Sequence, residues 1–316
     1  MSSAKPQLAA QAAQALAPRQ SPWRLLAGRF AKHRLAVLSL ILILLLATAA
    51  WAAPLVEAWR GLDANEVDLF ALTAPPSPAH LLGTDELGRD LLLRLLYGGR
   101  VSLTVALTAA FFAATLGTFL GLVAGYFGGR LDSLLMRLAD SVIALPLLPL
   151  LIVLAALDLS KLGLPQSWVQ SEALSFYRIV FLIVLVGWTT VARLVRSATL
   201  SLKAREFVLA AEALGAGPWR IMLRHILPNA VSPIVVATTL SIGNIILLES
   251  VLSFLGLGIQ PPLPSWGNML TGAQETIWGA PHLALWPGLL IFVTVISFNF
   301  LGDGLQDALD PRSEKR

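Results

Sequence analysis

The side chains in this sequence that could do chemistry are carboxylates inside or beside apolar stretches. Glu249 is the one acid in a long apolar run, and Asp140 opens another apolar stretch. An ionisable group in a membrane is costly, so it is usually paired, faces the protein interior or serves function. Two interpretations of Glu249 stay open: it belongs to a functional site, or it reaches the interface or bonds a neighbouring helix. For Asp140 we predict an ion pair with Arg137, one helical turn earlier, with gating as the alternative.

A second group of acids lies in the polar segment 80–103. Asp85 and Asp90 could act as an acid–base pair, but only His80 accompanies them and no nucleophile does. We therefore interpret the segment as a turn followed by a helix lying along the membrane surface. In that helix Asp90 is expected to pair with Arg94 at i, i+4.

The signatures of common enzyme classes are absent from the sequence. There is no cysteine, which removes disulfides, thiolate metal sites and a cysteine nucleophile. There is no GxxxxGK[ST], HExxH or GxSxG pattern, so we expect neither a P-loop nor a common hydrolase centre. Asp303, Asp307 and Asp310 lack a histidine and tight ligand spacing, which favours a solvated helix end over a metal site. We predict a chain that is not an enzyme and holds no metal or cofactor.

Composition indicates a membrane protein. Hydrophobic residues make up 56% of the chain and charged residues 13%, with a mean hydropathy of +0.73. A soluble domain usually carries about 25% charged residues. The net charge of +4 could indicate nucleic acid, but the basic residues flank apolar stretches instead of forming one stripe. We therefore predict no nucleic-acid partner.

Six apolar stretches approach the length of about 20 residues that a helix needs to cross a bilayer. The fourth is the weakest, because Arg178 and Arg193 bracket it. Pro146 and Pro149 lie inside the third and are expected to bend it. The predicted spans are 36–53, 101–127, 141–157, 179–192, 229–248 and 280–301.

The placement of basic residues predicts the orientation. If the N-terminus is inside, most of the 23 lysines and arginines fall in inner segments. Both termini are then cytoplasmic, and so is the charged connector between the fourth and fifth spans. The predicted domains are an N-terminal extension at 1–35, a six-span domain at 36–305 with its connector at 193–228, and a tail at 306–316.

The connector is the only long stretch of the second half that is both charged and periodic. Phe207, Ala210, Ala211 and Leu214 follow helical spacing on one face, and the two alanines would let another surface approach closely. Gly215 stands where a left-handed helix stop is expected. A second short helix, opening at Gly217-Pro218, is predicted to end before Pro228. The alternative is an amphipathic helix that packs on its own protein.

This connector resembles the EAA loop of ABC-transporter permease subunits, which fits into a groove on the ATPase subunit. Ala210, Ala211 and Gly215 stand at the alanine and glycine positions, and the closing Leu-Pro pair is present. Leu209 replaces the glutamate of the pattern, for which Glu206 and Glu212 are candidate substitutes. The resemblance implies an ATPase-coupling site formed by Glu206, Ala210, Ala211, Glu212, Gly215, Ala216, Gly217, Pro218, Arg220, Leu227 and Pro228.

Three further segments carry a more specific resemblance. GTDELGRD at 83–90, the run at 247–270 and FNFLGDGLQDALDPR at 298–312 are similar to the C-type permease of dipeptide, oligopeptide and nickel importers. The resemblance implies an all-α membrane protein with six transmembrane helices, the type I ABC importer permease (MetI-like) fold and cytoplasmic coupling helices. It also implies a multi-pass location in the bacterial inner membrane.

The resemblance further implies partners and cargo. The expected partners are a homologous B-type permease, two cytoplasmic ABC ATPase subunits that bind ATP and Mg, a periplasmic or lipid-anchored substrate-binding protein, and membrane lipid. The expected cargo is di- or oligopeptides, with nickel chelates, glutathione or peptide antibiotics as alternatives. Candidate path or gating residues are Asp140, Asn244 and Glu249. A secondary transporter would show internal repeats with broken helices, which are not evident, and an intramembrane enzyme would need an acid, base or nucleophile set.

Overall fold

The computed structural model describes residues 22–157, 161 and 172–309, which are helical with connecting turns and contain no strand. Residues 1–21 of the predicted extension, most of the predicted tail and part of the loop after the third span lie outside these ranges. The domain limits predicted from the sequence stay predictions. The helices are α1 (Pro22–Lys32), α2 (Arg34–Trp51), α3 (Ala53–Arg60), α4 (Leu91–Phe127), α5 (Gly129–Ala144), α6 (Leu147–Ala155), α7 (Glu172–Lys203), α8 (Glu206–Ala213), α9 (Pro218–Ile221), α10 (Leu227–Phe254), α11 (Trp266–Thr276) and α12 (His282–Leu309).

Five helical stretches of the described chain are long and apolar enough to cross a membrane: α2, α4, α7, the run from α9 through α10, and α12. The helices α5 and α6 meet this criterion only as a pair, bent by 88°. Pro146 lies at the bend, and Leu145 before it is extended, because proline disfavours a helical conformation in the preceding residue. Counting the bent pair as one span gives the six predicted spans and confirms the predicted bend.

The helices α4 and α7 pack closely through glycines on one face of α4. A Cβ atom at Gly121 would lie 2.5 Å from the carbonyl oxygen of Ala192, and one at Gly117 would lie 2.5 Å from that of Trp188. Gly125 continues the same face. Small residues at this spacing let membrane helices approach until their backbones touch. The fourth stretch, predicted to be the weakest, is thus a 32-residue helix held tightly against α4.

Two ion pairs join α7 to α5 beside this contact. Arg196 binds both carboxylate oxygens of Asp132, at 2.5 and 2.6 Å. Asp140 pairs with Arg193 at 2.7 Å. The predicted pair between Asp140 and Arg137 is therefore wrong: the packing of α5 on α7 brings a basic residue of another helix to the carboxylate.

The predicted surface helix before the second span is also wrong. Residues 82–90 form turns, and α4 begins directly at Leu91. Asp90 caps α4 by accepting the Leu93 amide at 3.0 Å, so its carboxylate lies at the helix end and not along the side. Arg94 instead pairs with Asp85 at 3.3 Å. Because Asp90 caps the start of α4, its carboxylate does not form the predicted i, i+4 pair with Arg94.

The beginning and end of the described chain lie at the same end of the bundle. His33, between α1 and α2, lies 3.7 Å from the Asp307 carboxylate near the end of α12. Gly304 of α12 directly abuts Ala36 of α2. An even number of crossings agrees with this arrangement.

Candidate functional site: the connector corner and the open cavity

The corner of the connector is a closed helix stop centred on Gly215. Gly215 has φ +81°, the left-handed conformation that glycine adopts without a steric penalty. Its amide donates to the Glu212 carbonyl at 2.9 Å, and the amide of Ala216 donates to the Ala211 carbonyl at 3.0 Å. These two bonds make a Schellman motif, which fixes the exit direction of the chain from α8. The predicted stop is confirmed.

The second helix of the corner begins where the sequence predicts but does not end there. Pro218 opens α9, and the Ile221 amide donates to the Gly217 carbonyl at 3.0 Å. A π-helical turn at Met222–Ile226 then joins α9 to α10, with Pro228 in the first turn of α10. The predicted end before Pro228 is wrong. A π turn widens the helix by one residue, which accommodates a ring that would clash with the carbonyl four residues earlier. The corner is therefore continuous with a spanning helix.

One side of the corner is part of the protein core. Val208 of α8 and three side chains of the second helix are buried against α4 and α7. Trp219 also stacks on Phe119 of α4, with ring centroids 6.2 Å apart and planes at 11°. The buried cluster is formed by Leu122, Tyr126, Val191, Val195, Val208, Ile221, Met222 and Ile226.

The other side of α8 is apolar and uncovered. Phe207, Leu209 and Leu214 are exposed, Leu214 to 89%. Ala210 is also exposed and Ala211 is half-buried. The face predicted from helical spacing is thus not the one that packs on the chain itself; Val208, outside that face, makes the contact with the bundle.

The polar members of the predicted coupling site surround this apolar face. Glu206 lies in the first turn of α8 and Glu212 near its end, and both are exposed. Arg220 of α9 is exposed as well, as is Pro228, whereas Leu227 is half-buried. The arrangement gives an uncovered apolar centre with a rim of both charges.

A cavity of about 710 Å³ opens between the α5–α6 bend, α7 and α10. Its lining is largely apolar and includes no charged side chain. Neutral polar groups come from Thr189 and Thr190 on α7 and from Ser241 and Asn244 on α10. Asn244 is thus the one of the three candidate path residues that lines this cavity.

Glu249 lies in a buried polar cluster away from that cavity. Its Oε2 accepts the Ser102 hydroxyl at 2.9 Å, and its Oε1 accepts the Ser253 hydroxyl at 2.7 Å. Ser102 also accepts the Trp266 amide at 3.2 Å, and Ser253 accepts the Ile259 amide at 3.1 Å. The cluster therefore ties α10 to α4 and to the start of α11.

The serines that hold this carboxylate were not predicted from the sequence. Ser102 lies in an otherwise apolar helix, as does Ser253, and hydroxyls at such positions are the signal that could have identified them. For Asp140, which is exposed in its pair with Arg193, the missed partner was the bracketing arginine of the fourth stretch.

A bundle of spanning helices with an uncovered corner at one end is the arrangement of a transporter's membrane subunit, and comparison with known proteins agrees. Residues 117–315 match the model of the family described as binding-protein-dependent transport system inner membrane component. The chain belongs to this family. Residues 21–76 match the N-terminal transmembrane domain of oligopeptide transport permease C. The chain is therefore a multi-pass, non-catalytic permease subunit of an ABC transporter, and such subunits work with ATPase and binding-protein partners.

The relatives are similar over nearly their whole length. A glutathione transport system permease protein of Pectobacterium atrosepticum is 41% identical over 93% of this chain and 92% of its own. A dipeptide transport system permease protein of Alkalihalophilus pseudofirmus is 40% identical over 92% of this chain and 90% of its own. An oligopeptide transport system permease protein of Bacillus subtilis is 36% identical, over 93% and 91%. The resemblance predicted from the sequence motifs is confirmed.

Proposed function

We propose that this chain forms one half of the translocation path of an ATP-driven peptide importer and receives a cytoplasmic ATPase subunit on the connector corner. The observation that carries the proposal is the uncovered apolar face of α8 on a corner whose other side is buried in the bundle. Exposed apolar patches with polar rims are typical of protein interaction sites. The family association with an ATPase supplies the partner.

The corner can act as a lever because its two sides differ. Its inner side is packed on α4 and α7, and its second helix continues through the π turn into α10. A movement imposed on α8 by the ATPase therefore reaches a spanning helix without crossing a loose loop. ATP and Mg would bind to the ATPase subunits and not to this chain. ATP-driven closure of two such subunits would then reorient α10 as a rigid body.

The second permease would complete the path at the cavity between the α5–α6 bend and α10. The bend leaves Leu145, Leu147 and Leu148 exposed beside this cavity, although they are large apolar side chains. A homologous B-type subunit would cover them and close the other half of the path. Asn244 would then face the cargo, whereas Glu249 and Asp140 would support the helices.

Peptides fit the lining of the cavity. Its neutral hydroxyls and one amide can form hydrogen bonds with a peptide backbone. Because the lining carries no charge, it does not select for the charge of the peptide's side chains. The relatives carry names for dipeptide, oligopeptide and glutathione transport, so glutathione stays an alternative cargo, as do nickel chelates and peptide antibiotics. A periplasmic or lipid-anchored binding protein would deliver the cargo from outside, with both termini of this chain in the cytoplasm.

The test is an ATPase assay on the chain assembled with its partner subunits in lipid nanodiscs. Hydrolysis should rise when the binding protein of the same system is added with peptide. Leu214→Glu places a charge on the uncovered face without disturbing the core, so it should abolish the rise and weaken ATPase binding. Gln306→Glu adds the same charge near the exposed end of α12 and should leave the rise unchanged. Full stimulation in Leu214→Glu would refute the assigned docking face.

A further inference from the structure

The outer side of the chain carries a second uncovered apolar surface, on the segment between α3 and α4. We call residues 66–72 the outer tip. Its large apolar side chains point away from the protein: Phe70 is fully exposed, Leu69 is 70% exposed, and Val67 and Leu72 are about half exposed. Clustered exposure of this kind indicates a binding surface.

The outer tip is held in a fixed shape by backbone hydrogen bonds to the turns before α4. The Asp68 amide donates to the Leu87 carbonyl at 3.2 Å, and the Thr73 amide donates to the Asp85 carbonyl at 2.9 Å. Gly88 lies so close to the Asp68 backbone that a side chain at this position has no room. The Thr84 hydroxyl links the end of the tip to the residues that follow it, donating to the Ala71 carbonyl and accepting from the Ala74 amide at 2.8 Å.

The charged residues of the segment 83–90 form the base of the tip. Asp85 is buried, accepts a hydrogen bond from Arg89 at 2.7 Å and forms an ion pair with Arg94 at 3.3 Å. Arg94 in turn reaches the Asn65 side chain at 3.3 Å, just before the tip. Asp90 caps α4 and bonds His80 at 3.0 Å. Asp85 and Asp90 therefore have a structural role. Their bonds hold a rigid loop that exposes Leu69 and Phe70.

The outer tip and the connector corner lie at opposite ends of α4. The turns that hold the tip precede Leu91, whereas the corner packs on Leu122 and Tyr126 near the other end. The 37 residues of α4 span about 55 Å at 1.5 Å per residue, which exceeds a hydrocarbon core of about 30 Å. With an ATPase on the corner, the tip therefore projects from the opposite membrane surface, where the binding protein operates.

The acids in the tip argue for a protein partner and against the bilayer. Glu66 and Asp68 are exposed beside the apolar side chains, and the Asp68 carboxylate accepts the Phe70 amide at 2.9 Å. A loop bearing two carboxylates is repelled by anionic lipid headgroups, and moving the carboxylates into hydrocarbon costs free energy. A rigid aromatic anchor is the residue type that dominates the energy of protein interfaces.

We infer that the outer tip is the docking point for the substrate-binding protein, with Phe70 and Leu69 entering an apolar recess that has a basic rim. This inference rests on the proposed function. It gives a reason for the buried charges of the segment 83–90, which fix the shape of a loop whose Leu69 and Phe70 side chains are exposed.

The direct test uses a single cysteine, since the sequence contains none. Phe70→Cys is labelled with a benzophenone maleimide in the full transporter in nanodiscs, mixed with the binding protein of the same system and irradiated. We expect a covalent product with the binding protein, identified by mass spectrometry. Leu55→Cys, at a comparably exposed leucine of α3, is the matched control and should give no such product. Cross-linking of residue 70 to the second permease or to phospholipid would overturn the inference.

A second measurement gives the energetic weight of the tip. The double substitution Leu69→Ser with Phe70→Ser should raise the Kd for the binding protein at least about tenfold, as expected on removing two interface anchors. Basal ATP hydrolysis and assembly with the partner subunits should not change. Wild-type affinity in this variant would reject the docking point alone. A wild-type transporter that never responds to its binding protein would reject the proposed function and the docking point with it.

Discussion

At the scale of single residues, Glu249 shows how a membrane protein keeps an acid without a cation beside it. Two serine hydroxyls donate to its two oxygens, and the same serines accept backbone amides from the segment that follows α10. A buried carboxylate is tolerated when its oxygens are hydrogen-bonded. The geometry therefore favours a support for α4, α10 and α11 over a group that contacts cargo.

Substitution of Glu249 separates support from a role in transport. Glu249→Leu removes both acceptors and leaves two buried hydroxyls short of a partner, which costs about 1–3 kcal/mol for each group. Glu249→Gln keeps one oxygen, and its amide can donate to a rotated hydroxyl. Thermal unfolding in detergent should show a lower Tm for the leucine variant and a Tm near wild type for the glutamine variant, with transport following Tm. Loss of transport in a glutamine variant of normal Tm would instead assign the charge to the path.

The close contact between α4 and α7 at Gly121 can be tested by substitution. In Gly121→Ala the new Cβ would lie 2.5 Å from the Ala192 carbonyl oxygen, so the helices must separate, at a cost of about 1–3 kcal/mol. Gly187 lies in the same interface, but there a Cβ would meet Ala113 at an ordinary 3.4 Å. The free energy of unfolding should fall in Gly121→Ala and stay near wild type in Gly187→Ala. Equal values for the two variants would contradict the packing.

At the scale of elements, the connector separates what a sequence can predict from what it cannot. The stop at Gly215 was predictable because one residue type and a local conformation determine it. The continuation through Pro228 was not, because a π turn is a response of the backbone to the ring and leaves no pattern in the sequence. The true partner of Asp140 depended on the packing of α5 against α7, which spacing along one helix does not contain. Local conformation could therefore be predicted from the sequence, whereas contacts between helices could not.

The left-handed conformation of Gly215 makes the corner sensitive to the residue at that position. A Cβ at Gly215 meets no atom within 4 Å, so a substitution there acts through backbone strain alone. Asparagine tolerates φ near +81°. In alanine this conformation costs about 1 kcal/mol, and in a β-branched residue it costs more. ATP hydrolysis stimulated by the binding protein should therefore fall in the order Gly, Asn, Ala, Val at this position.

Gly217 supplies the matched control for that series. It has φ −70° and also has free space around it, so Gly217→Ala adds the same methyl group without strain. Stimulated hydrolysis in this variant should equal that of wild type. If Gly215→Val also coupled normally, a fixed corner would not be what transmits the movement.

At the scale of the whole molecule, α4 connects the two surfaces for which we propose partners, the connector corner and the outer tip. Its first turn is held by the base of the outer tip, its glycine face holds α7, and its last turns receive the corner. Lys203 at the end of α7 adds a bond to the Tyr126 carbonyl at 2.7 Å, which fastens the exit of α7 to the end of α4. If an ATPase binds the corner and the binding protein docks on the outer tip, as proposed, the rigid helix α4 would let one partner sense the other.

This arrangement requires the two surfaces to face opposite compartments. Single cysteines at Leu214 and Phe70, both at exposed positions, can be tested with a membrane-impermeant maleimide on intact spheroplasts and then on lysed ones. Phe70→Cys should react in intact spheroplasts if the tip lies outside, as the proposed orientation requires. Leu214→Cys should react only after lysis, since the basic residues around the corner predict a cytoplasmic position for it. Reaction of both positions from the same side would break the link along α4, and the reverse pattern would place the ATPase surface where no ATP is available.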